Sequence, residues 1–357
     1  MKTHHRIPAL DGLRAVAIAA VMVSHGFLTT EAPTRPERAF GYIVGHLGGL
    51  GVALFFAVSG YLITTLLLDE QNLRGFYVRR AFRILPPAYL YLIVVAIAEP
   101  LRHGELASAA FFYSNYWVER SWYTAHFWSL SMEEHFYLLW PVLLIGLGMR
   151  RALIAAGVLV AMTALWRPWS LAHIQVPFPA LQRTDMRLDA FLFAGILAIL
   201  MRGPHRAPLL RVLTAAWFRI VSSLTLLVVW IWGLAGSAPA TGILIESALL
   251  PAVLASVIYW PGSRVFRFLE TRPLRWMGRI SYGLYLWQQL FLAPPAAAFL
   301  PSVALTFAAA AASYYLMERP LLHYVRAPGR SWNRQVLWNN EFFAENAERY
   351  PRLRQEI

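Results

Sequence analysis

Two ionisable side chains, Arg14 and His25, fall within the first long apolar stretch of the sequence. An ionisable residue in such a stretch is costly, so we treat it as a functional-site hypothesis. An α-helix turns about 100° per residue, so the eleven-residue spacing places both side chains on nearly the same face, roughly 16 Å apart along the axis. A neutral imidazole accepts a proton near pH 7, as a general base must. The pattern favours His25 as a base, and a hydrogen-bonded core histidine is the alternative.

Three arginines are clustered in the segment 76–87. Arg79 and Arg83 stand at i and i+4 on one predicted helix face, and Arg80 flanks them. A guanidinium group chelates two phosphate oxygens, so the cluster suits a phosphate-rich ligand such as a coenzyme A nucleotide. Anchoring at lipid headgroups explains the same composition equally well.

A further polar group lies between His126 and Tyr137, where two histidines and two carboxylates accompany Trp128. Such a group can orient a base or bind a sugar, with the tryptophan stacking on the sugar ring. No spacing here reproduces a zinc motif such as H-E-x-x-H, so no metal site is predicted. The alternative is an ordinary helix start, where serines cap the helix and acidic side chains favour its dipole.

The second apolar run contains Gly48, Gly49 and Gly51 and continues to Ser59 and Tyr61. Small residues let two helices approach closely, and they also let the backbone approach a ligand. Close packing between helices is the commoner of these two explanations.

Charged residues also accompany two later apolar runs. Asp185, Arg187 and Asp189 open the sixth run, where a structural ion pair is expected as readily as a functional role. Glu246 stands alone in an apolar stretch, and we expect its side chain to reach outward to a polar boundary. The sequence contains neither a Gly-x-Ser-x-Gly elbow nor a Walker loop, so hydrolase and nucleotidase chemistry are not indicated.

The composition requires a membrane rather than water around these residues. Of the 357 residues, 58% are hydrophobic and only 14% are charged, and the mean hydropathy is +0.48. Soluble domains carry roughly 25% charged residues. The chain has no cysteine, which excludes a disulfide framework, a thiolate metal site and a cysteine nucleophile.

Ten apolar runs approach the length that crosses about 30 Å of hydrocarbon. They lie at about 14–30, 48–68, 82–98, 135–148, 152–166, 188–201, 217–235, 242–260, 281–298 and 302–317. We therefore predict an all-α fold, a polytopic membrane helix bundle of about ten transmembrane helices. Residues 1–326 form the predicted membrane domain, and residues 327–357 form a polar cytoplasmic tail. The aromatic-rich segment 99–134 is expected at the membrane interface or as a re-entrant segment.

Membrane topology explains the net charge of +13. If ten helices cross, alternate loops hold 25 basic residues on the side of the termini and 7 on the opposite side. The positive-inside rule then places both termini in the cytoplasm. We expect a multi-pass protein of the cell inner (plasma) membrane, with the lipid bilayer as a partner and no role for nucleic acid.

The order of these residues resembles acyltransferase family 3, the multi-pass membrane acyltransferases that include O-antigen acetylases and enzymes that acylate exopolysaccharides, Nod factors and macrolides. The matching segments are Leu10–Arg14 with His25 after ten residues, Gly51–Tyr61, Tyr77–Pro86, Trp128–Tyr137, Ile280–Trp287 and Glu318–Pro320. They cover about residues 6–325 in the family's order, which six short motifs rarely do by chance.

The resemblance implies transfer of an acyl group, by default acetyl, from acyl-CoA to a hydroxyl of a carbohydrate or glycosylated acceptor. No cofactor is expected to be bound permanently, because acyl-CoA is the donor substrate. The implied catalytic residues are His25, Glu133 and Arg14, with His25 as base, Glu133 orienting it or the acceptor, and Arg14 holding the donor. Arg79, Arg80 and Arg83 would bind the donor phosphates. The candidate substrate-binding residues are Asp11, Ser59, Tyr61, His126, Trp128 and Tyr137.

One position departs from the family pattern. Members usually place a histidine after the Tyr-Leu-Trp of the ninth predicted helix, and this chain has Gln288 there. Glutamine forms hydrogen bonds but does not carry a proton at neutral pH, which strengthens His25 as the base. A transporter or flippase of a lipid-linked glycan is the alternative function, since transporters also use buried charges.

Overall fold

The computed structural model describes residues 7–29, 43–174, 180–234, 239–260, 262–293 and 299–326, and the regular structure in these ranges is entirely helical. The prediction of an all-α chain is therefore confirmed. The helices are α1 (Pro8–Thr29), α2 (Leu47–Glu70), α3 (Leu73–Ala98), α4 (Glu105–Ala110), α5 (Trp122–Ala125), α6 (Phe127–His173), α7 (Thr184–Arg187), α8 (Asp189–Leu200), α9 (Arg206–Leu213), α10 (Ala216–Leu234), α11 (Pro239–Ile258), α12 (Arg264–Leu269), α13 (Arg272–Arg279), α14 (Ser281–Phe291), α15 (Phe299–Ser313) and α16 (Arg319–Arg326). A 3₁₀ turn covers Ala180–Gln182, and a π-helical turn covers Tyr314–Glu318.

The chain is a multi-pass membrane protein. Within the described ranges, six helical segments are long and apolar enough to cross a membrane, and the bent pair α9–α10 makes a seventh if it counts as one span. The predicted runs at 188–201 and 281–298 coincide with the shorter helices α8 and α14. Ten crossings and cytoplasmic termini thus remain predictions. The predicted tail, 327–357, lies outside the described residues.

Helix α6 contains both the fourth and the fifth predicted run. Its backbone breaks at Gly148, where φ is 74° and ψ is 164°. A positive φ is readily adopted by glycine, which has no Cβ. About 20 residues or more lie on each side of the break, enough for a separate crossing by each half.

Helix α2 lies between α1 and α8 at the centre of the bundle. A Cβ on Gly51 would come within 2.5 Å of the carbonyl oxygen of Ala17, and one on Gly60 within 2.3 Å of that of Phe191. Neither separation leaves room for a side chain. Close helix packing therefore explains both glycines, and it holds Ser59 at a fixed height between its neighbours.

The aromatic-rich segment folds around Glu105, which is fully buried at the start of α4. Its carboxylate accepts hydrogen bonds from the backbone N–H groups of Arg102 and Ser121, both at 2.9 Å, and from the hydroxyls of Ser121 and Thr124. Burial raises the pKa of Glu105, but these hydrogen bonds outweigh that effect and the net pKa is lowered. The ionised carboxylate fixes the start of α5, which presents Trp122 to the bundle interior.

A buried ion pair joins α6 to α8. Arg167 and Asp189 are both fully buried, with 2.6 Å between Nη2 and Oδ2, and Arg167 also donates to the carbonyl oxygens of Met186 and Ala240. The predicted ion pair at Asp189 therefore exists, but its partner is Arg167. The expectation for Glu246 was wrong, because its Oε1 is buried and its charge interacts with this cluster instead of reaching outward.

Candidate active site

A cavity at the junction of α1, α2, α3, α6 and α14, here called the central cavity, collects many of the predicted site residues. Its polar lining comprises Arg14, Ser59, Arg80, Arg83, Ser129, Glu133, Ser281, Tyr282 and Tyr285. The apolar lining comprises Val52, Phe55, Phe56, Ile84 and Leu130. The structure therefore brings Arg14, Ser59, Glu133 and two of the three clustered arginines to one location, and the sequence had named each of them as a candidate site residue.

Glu133 is the centre of the hydrogen-bond network in this cavity. Its Oε1 accepts from the Ser59 hydroxyl at 2.5 Å and from the Tyr137 hydroxyl, and Nη2 of Arg80 lies 3.4 Å away. The Arg80 guanidinium also lies 3.5 Å from the centre of the Tyr137 ring. These contacts hold one carboxylate oxygen in a fixed position, and a cation–π contact supports the arginine.

Carboxylates accompany all three predicted phosphate-binding arginines: Arg79 pairs with Glu70 and Arg80 with Glu133, and Arg83 is near enough to Glu318 for their charges to interact. A guanidinium has five N–H donors, and a single carboxylate does not use them all. The arrangement makes the cluster less cationic than its sequence indicates. Within the described ranges, no three His, Asp or Glu side chains are grouped as a metal site requires.

His25 lies in a neighbouring site, where its Nδ1 is 2.7 Å from Oε1 of Gln288. The amide nitrogen of Gln288 is directed to the carbonyl of Tyr285 and to Oε1 of Gln289, at 3.4 and 3.1 Å. This orientation turns the amide oxygen toward His25, so Nδ1 carries the proton and Nε2 carries the lone pair. Trp122 meets the imidazole edge-on at 5.3 Å. Gln288 thus holds His25 in the tautomer that a base requires.

Replacing Gln288 with leucine tests this positioning role. Loss of the acceptor for the Nδ1 proton should lower kcat about tenfold, equivalent to roughly 1.4 kcal/mol, with little change in KM, and the buried hydrogen bonds that are lost should also lower the melting temperature. Gln288→Glu retains an acceptor oxygen and should recover most of kcat. Steady-state kinetics and thermal unfolding of detergent-purified variants check this. A lower melting temperature with unchanged kcat would show that the contact only supports the fold.

His25 and Glu133 belong to separate hydrogen-bonded groups, and no hydrogen bond joins them in the described structure. The expected direct orientation of His25 by Glu133 is therefore not observed. Tyr285 connects the two regions, because its hydroxyl lies 2.5 Å from that of Ser129 and its ring lies 5.5 Å from the ring of His126. His126 is near enough to His25 for their charges to interact.

Three other predicted substrate-binding residues have separate locations. Trp128 packs edge-on against Phe56, at 6.1 Å between ring centres, beside the central cavity. Tyr61 points elsewhere, and its hydroxyl lies 2.6 Å from that of Tyr259. Asp11 lies where α1 packs against α13, outside the cavity lining. The structure brings Trp128 to the site and leaves Tyr61 and Asp11 away from it.

Sequence reasoning missed Tyr285 and Ser129 as site residues, and it treated Gln288 only as a departure from a pattern. Tyr285 and Gln288 are three residues apart on α14, so they share one helix face. That spacing was the available signal. The partners of this face come from α1 and α6, far away in sequence, so the contacts themselves were not visible.

Comparisons with known proteins identify the family of the chain. The model of a family described as an acyltransferase domain, Acyl_transf_3, matches residues 7–319, nearly the whole chain. The chain belongs to acyltransferase family 3. The six motifs and the cavity residues that they contribute all lie within the matched range or at its end.

Several curated relatives are similar over most of this chain. A candidate peptidoglycan O-acetyltransferase of Bacillus subtilis strain 168 is 32% identical over 93% of the chain and 57% of its own length. The peptidoglycan O-acetyltransferase OatA of Listeria monocytogenes is 30% identical over 79% of the chain and 48% of its own length. The chain spans about half the length of these relatives. No solved structure matches it.

Proposed function

We propose that this family member is a membrane O-acyltransferase that transfers an acetyl group from acyl-CoA to a hydroxyl of a carbohydrate. The observation that carries the proposal is His25, a histidine on a largely apolar helix whose Nδ1 is held 2.7 Å from Oε1 of Gln288, with the central cavity close by. The names of the relatives make a peptidoglycan sugar the first acceptor to test. We also propose that the protein lies in the plasma membrane with cytoplasmic termini.

The proposed reaction uses His25 as a general base. Nε2 takes the proton of the acceptor hydroxyl as its oxygen attacks the thioester carbonyl carbon, and such catalysis is typically worth about 10²–10⁴ in rate. The protonated imidazole then returns the proton to the departing thiolate. Glu133, Ser59 and Tyr137 form a fixed polar network beside this path, and Trp128 offers a ring face for stacking against a sugar.

The donor phosphates are proposed to bind at Arg79 and Arg83. Arg79 is partly exposed, with 18% of its side chain accessible, and its ion pair with Glu70 involves one terminal nitrogen. Arg80 is committed to Glu133 and the Tyr137 ring, so its charge supports the network. Of the three arginines, Arg79 and Arg83 are thus assigned to the nucleotide and Arg80 to the hydrogen-bond network of Glu133, although Arg83 also lines the central cavity.

The double variant Arg79→Gln with Arg83→Gln tests the donor. Its KM for acetyl-CoA should rise at least about tenfold, since charge-assisted hydrogen bonds contribute about 1.5–3 kcal/mol each. Its KM for S-acetyl-pantetheine, which has no nucleotide, should change little. Arg74→Gln, an exposed arginine on the same helix, is the matched control. An equal rise for both donors would contradict nucleotide binding at these residues.

The reaction itself is tested with labelled acetyl-CoA and detergent-purified protein. Release of free coenzyme A that depends on added carbohydrate, with label recovered in the carbohydrate as an ester, supports the proposal. Mass spectrometry of cell-surface carbohydrates with and without the gene should show a difference of one acetyl mass per modified sugar. A carbohydrate that changes membrane side without gaining label would indicate a transporter.

A further inference from the structure

Two buried side chains beside His25 have polar atoms that lack a hydrogen-bond partner among the residues that the structure describes. They are His126, with both ring nitrogens, and Trp287, with its indole N–H. His126 is 2% exposed and Trp287 is 8% exposed, so bulk solvent reaches little of either side chain. We call His126 and Trp287 the donor pair.

An unpaired buried donor is expensive. Leaving such a group without a partner costs about 1–3 kcal/mol, and more than nine in ten buried polar groups in proteins have one. Some other buried polar atoms of the described residues also lack a partner, whereas Trp140, a comparable buried tryptophan, donates its indole N–H to Thr64 at 2.8 Å. The donor pair supplies three unpaired polar atoms on two rings that both contact Tyr91.

The donor pair adjoins the proposed chemistry. Both rings of the donor pair meet the ring of Tyr91 edge-on, His126 at 5.2 Å and Trp287 at 5.6 Å. Trp287 directly precedes Gln288, which holds His25. His126 faces Tyr285 at 5.5 Å, and Tyr285 lines the central cavity. His126 thus adjoins the cavity residue Tyr285, and Trp287 adjoins the residue that holds His25.

We propose that the donor pair forms the oxyanion-binding site of the acyl transfer. The inference rests on the proposed function, because it requires an acyl carbonyl as the group attacked. A neutral imidazole supplies one N–H and an indole supplies another, and neither can deliver a competing negative charge. Donors fixed in a water-excluding site stabilise developing charge without reorganising during the reaction.

The step balances as follows. The acceptor oxygen forms a bond to the carbonyl carbon, its proton moves to Nε2 of His25, and the carbonyl π electrons move onto oxygen. The N–H groups of His126 and Trp287 donate to that oxyanion. When the carbonyl reforms, the C–S bond breaks and the thiolate takes the proton from His25. Nothing is oxidised or reduced.

Trp287→Phe tests the proposal because stability and activity should move in opposite directions. Phenylalanine fills most of the same aromatic space and removes only the unpaired N–H as a polar group, so the melting temperature should stay unchanged or rise. The rate constant kcat should fall about 10²–10³-fold, the usual effect of losing one oxyanion donor. KM for the carbohydrate should change little.

Trp140→Phe is the matched control. It removes an indole N–H that has a partner, so it should lower the melting temperature and leave kcat near the wild-type value. His126→Phe provides a second variant, with the same expected loss of kcat at unchanged stability. If Trp287→Phe and His126→Phe both retain wild-type kcat, or if they lose stability and activity together as unfolded protein, the proposal is overturned.

Carbohydrate acetylation in intact cells keeps this test independent of the donor. If the wild-type chain acetylates in cells but does not consume acetyl-CoA, the proposed donor is wrong, and the variants are scored by the amount of acetyl ester. Loss of ester in the folded variants still supports the oxyanion site. Wild-type cells without any acyl transfer would defeat the proposed function and this inference together.

Discussion

Replacing His25 with alanine is expected to reduce acyl transfer about 10²–10⁴-fold, the usual contribution of a positioned general base. The imidazole is the titratable group whose proton is fixed on one nitrogen by Gln288, so its removal eliminates the lone pair proposed to accept the hydroxyl proton. The measurement is the rate of labelled acetyl ester formation by equal amounts of detergent-purified protein.

The control for this variant is His173→Ala. His173 is an exposed histidine at the end of α6, stacked on Trp169 and away from the central cavity. Both proteins should elute as single folded species, and only the His25 variant should lose activity. Near-normal turnover by folded His25→Ala would remove the base from the mechanism and leave His126 as the imidazole to examine next.

The helical elements could be predicted well because each apolar run is a local property of the chain. Each of the ten runs overlaps a helix within the described residues, and the shared face of Arg14 and His25 followed from helix geometry alone. The number of crossings was less predictable. The run at 188–201 forms a helix of only 12 residues, and a count from composition does not show how deeply such a helix enters the membrane.

The site was predictable in its residue types and much less so in its pairings. The hydrogen-bonded residues Glu133 and Ser59 are 74 positions apart in the sequence, and His25 and Gln288 are 263 positions apart. Contacts of this separation depend on how the helices pack, which short motifs do not encode. The same limitation explains Glu246, where an isolated charge in sequence is near two arginines and an aspartate in space.

The carboxylates near the arginine cluster also change how that cluster is interpreted. Arg79, Arg80 and Arg83 form a strongly cationic motif in the sequence, and carboxylates accompany all three in the folded chain. The carboxylates come from α2, α6 and the π-helical turn. The cluster is therefore part of a charge-balanced network as well as a candidate nucleotide site, and only kinetic comparison of donors separates those roles.

Replacing Asp189 with alanine should cause the largest loss of stability, about 3–5 kcal/mol, because it leaves the Arg167 charge buried without its counter-ion. Both side chains are fully buried, and the two carbonyl oxygens that Arg167 also contacts do not neutralise its charge. Thermal and denaturant unfolding in detergent micelles, read from tryptophan fluorescence, measure the change in the free energy of unfolding.

Asp185→Ala is the matched control, since Asp185 pairs with Arg183 at a site where each side chain is about one third exposed. An exposed pair contributes about 0–1 kcal/mol, and Asp185 also accepts exposed hydrogen bonds from Tyr116 and Trp166, so this variant should lose clearly less stability than Asp189→Ala. Adding Arg167→Met to Asp189→Ala should recover part of the loss, because no buried charge then remains unpaired. A loss at Asp189 no larger than that at Asp185 would mean that water reaches Arg167 and that the bundle is more open there than the structure indicates.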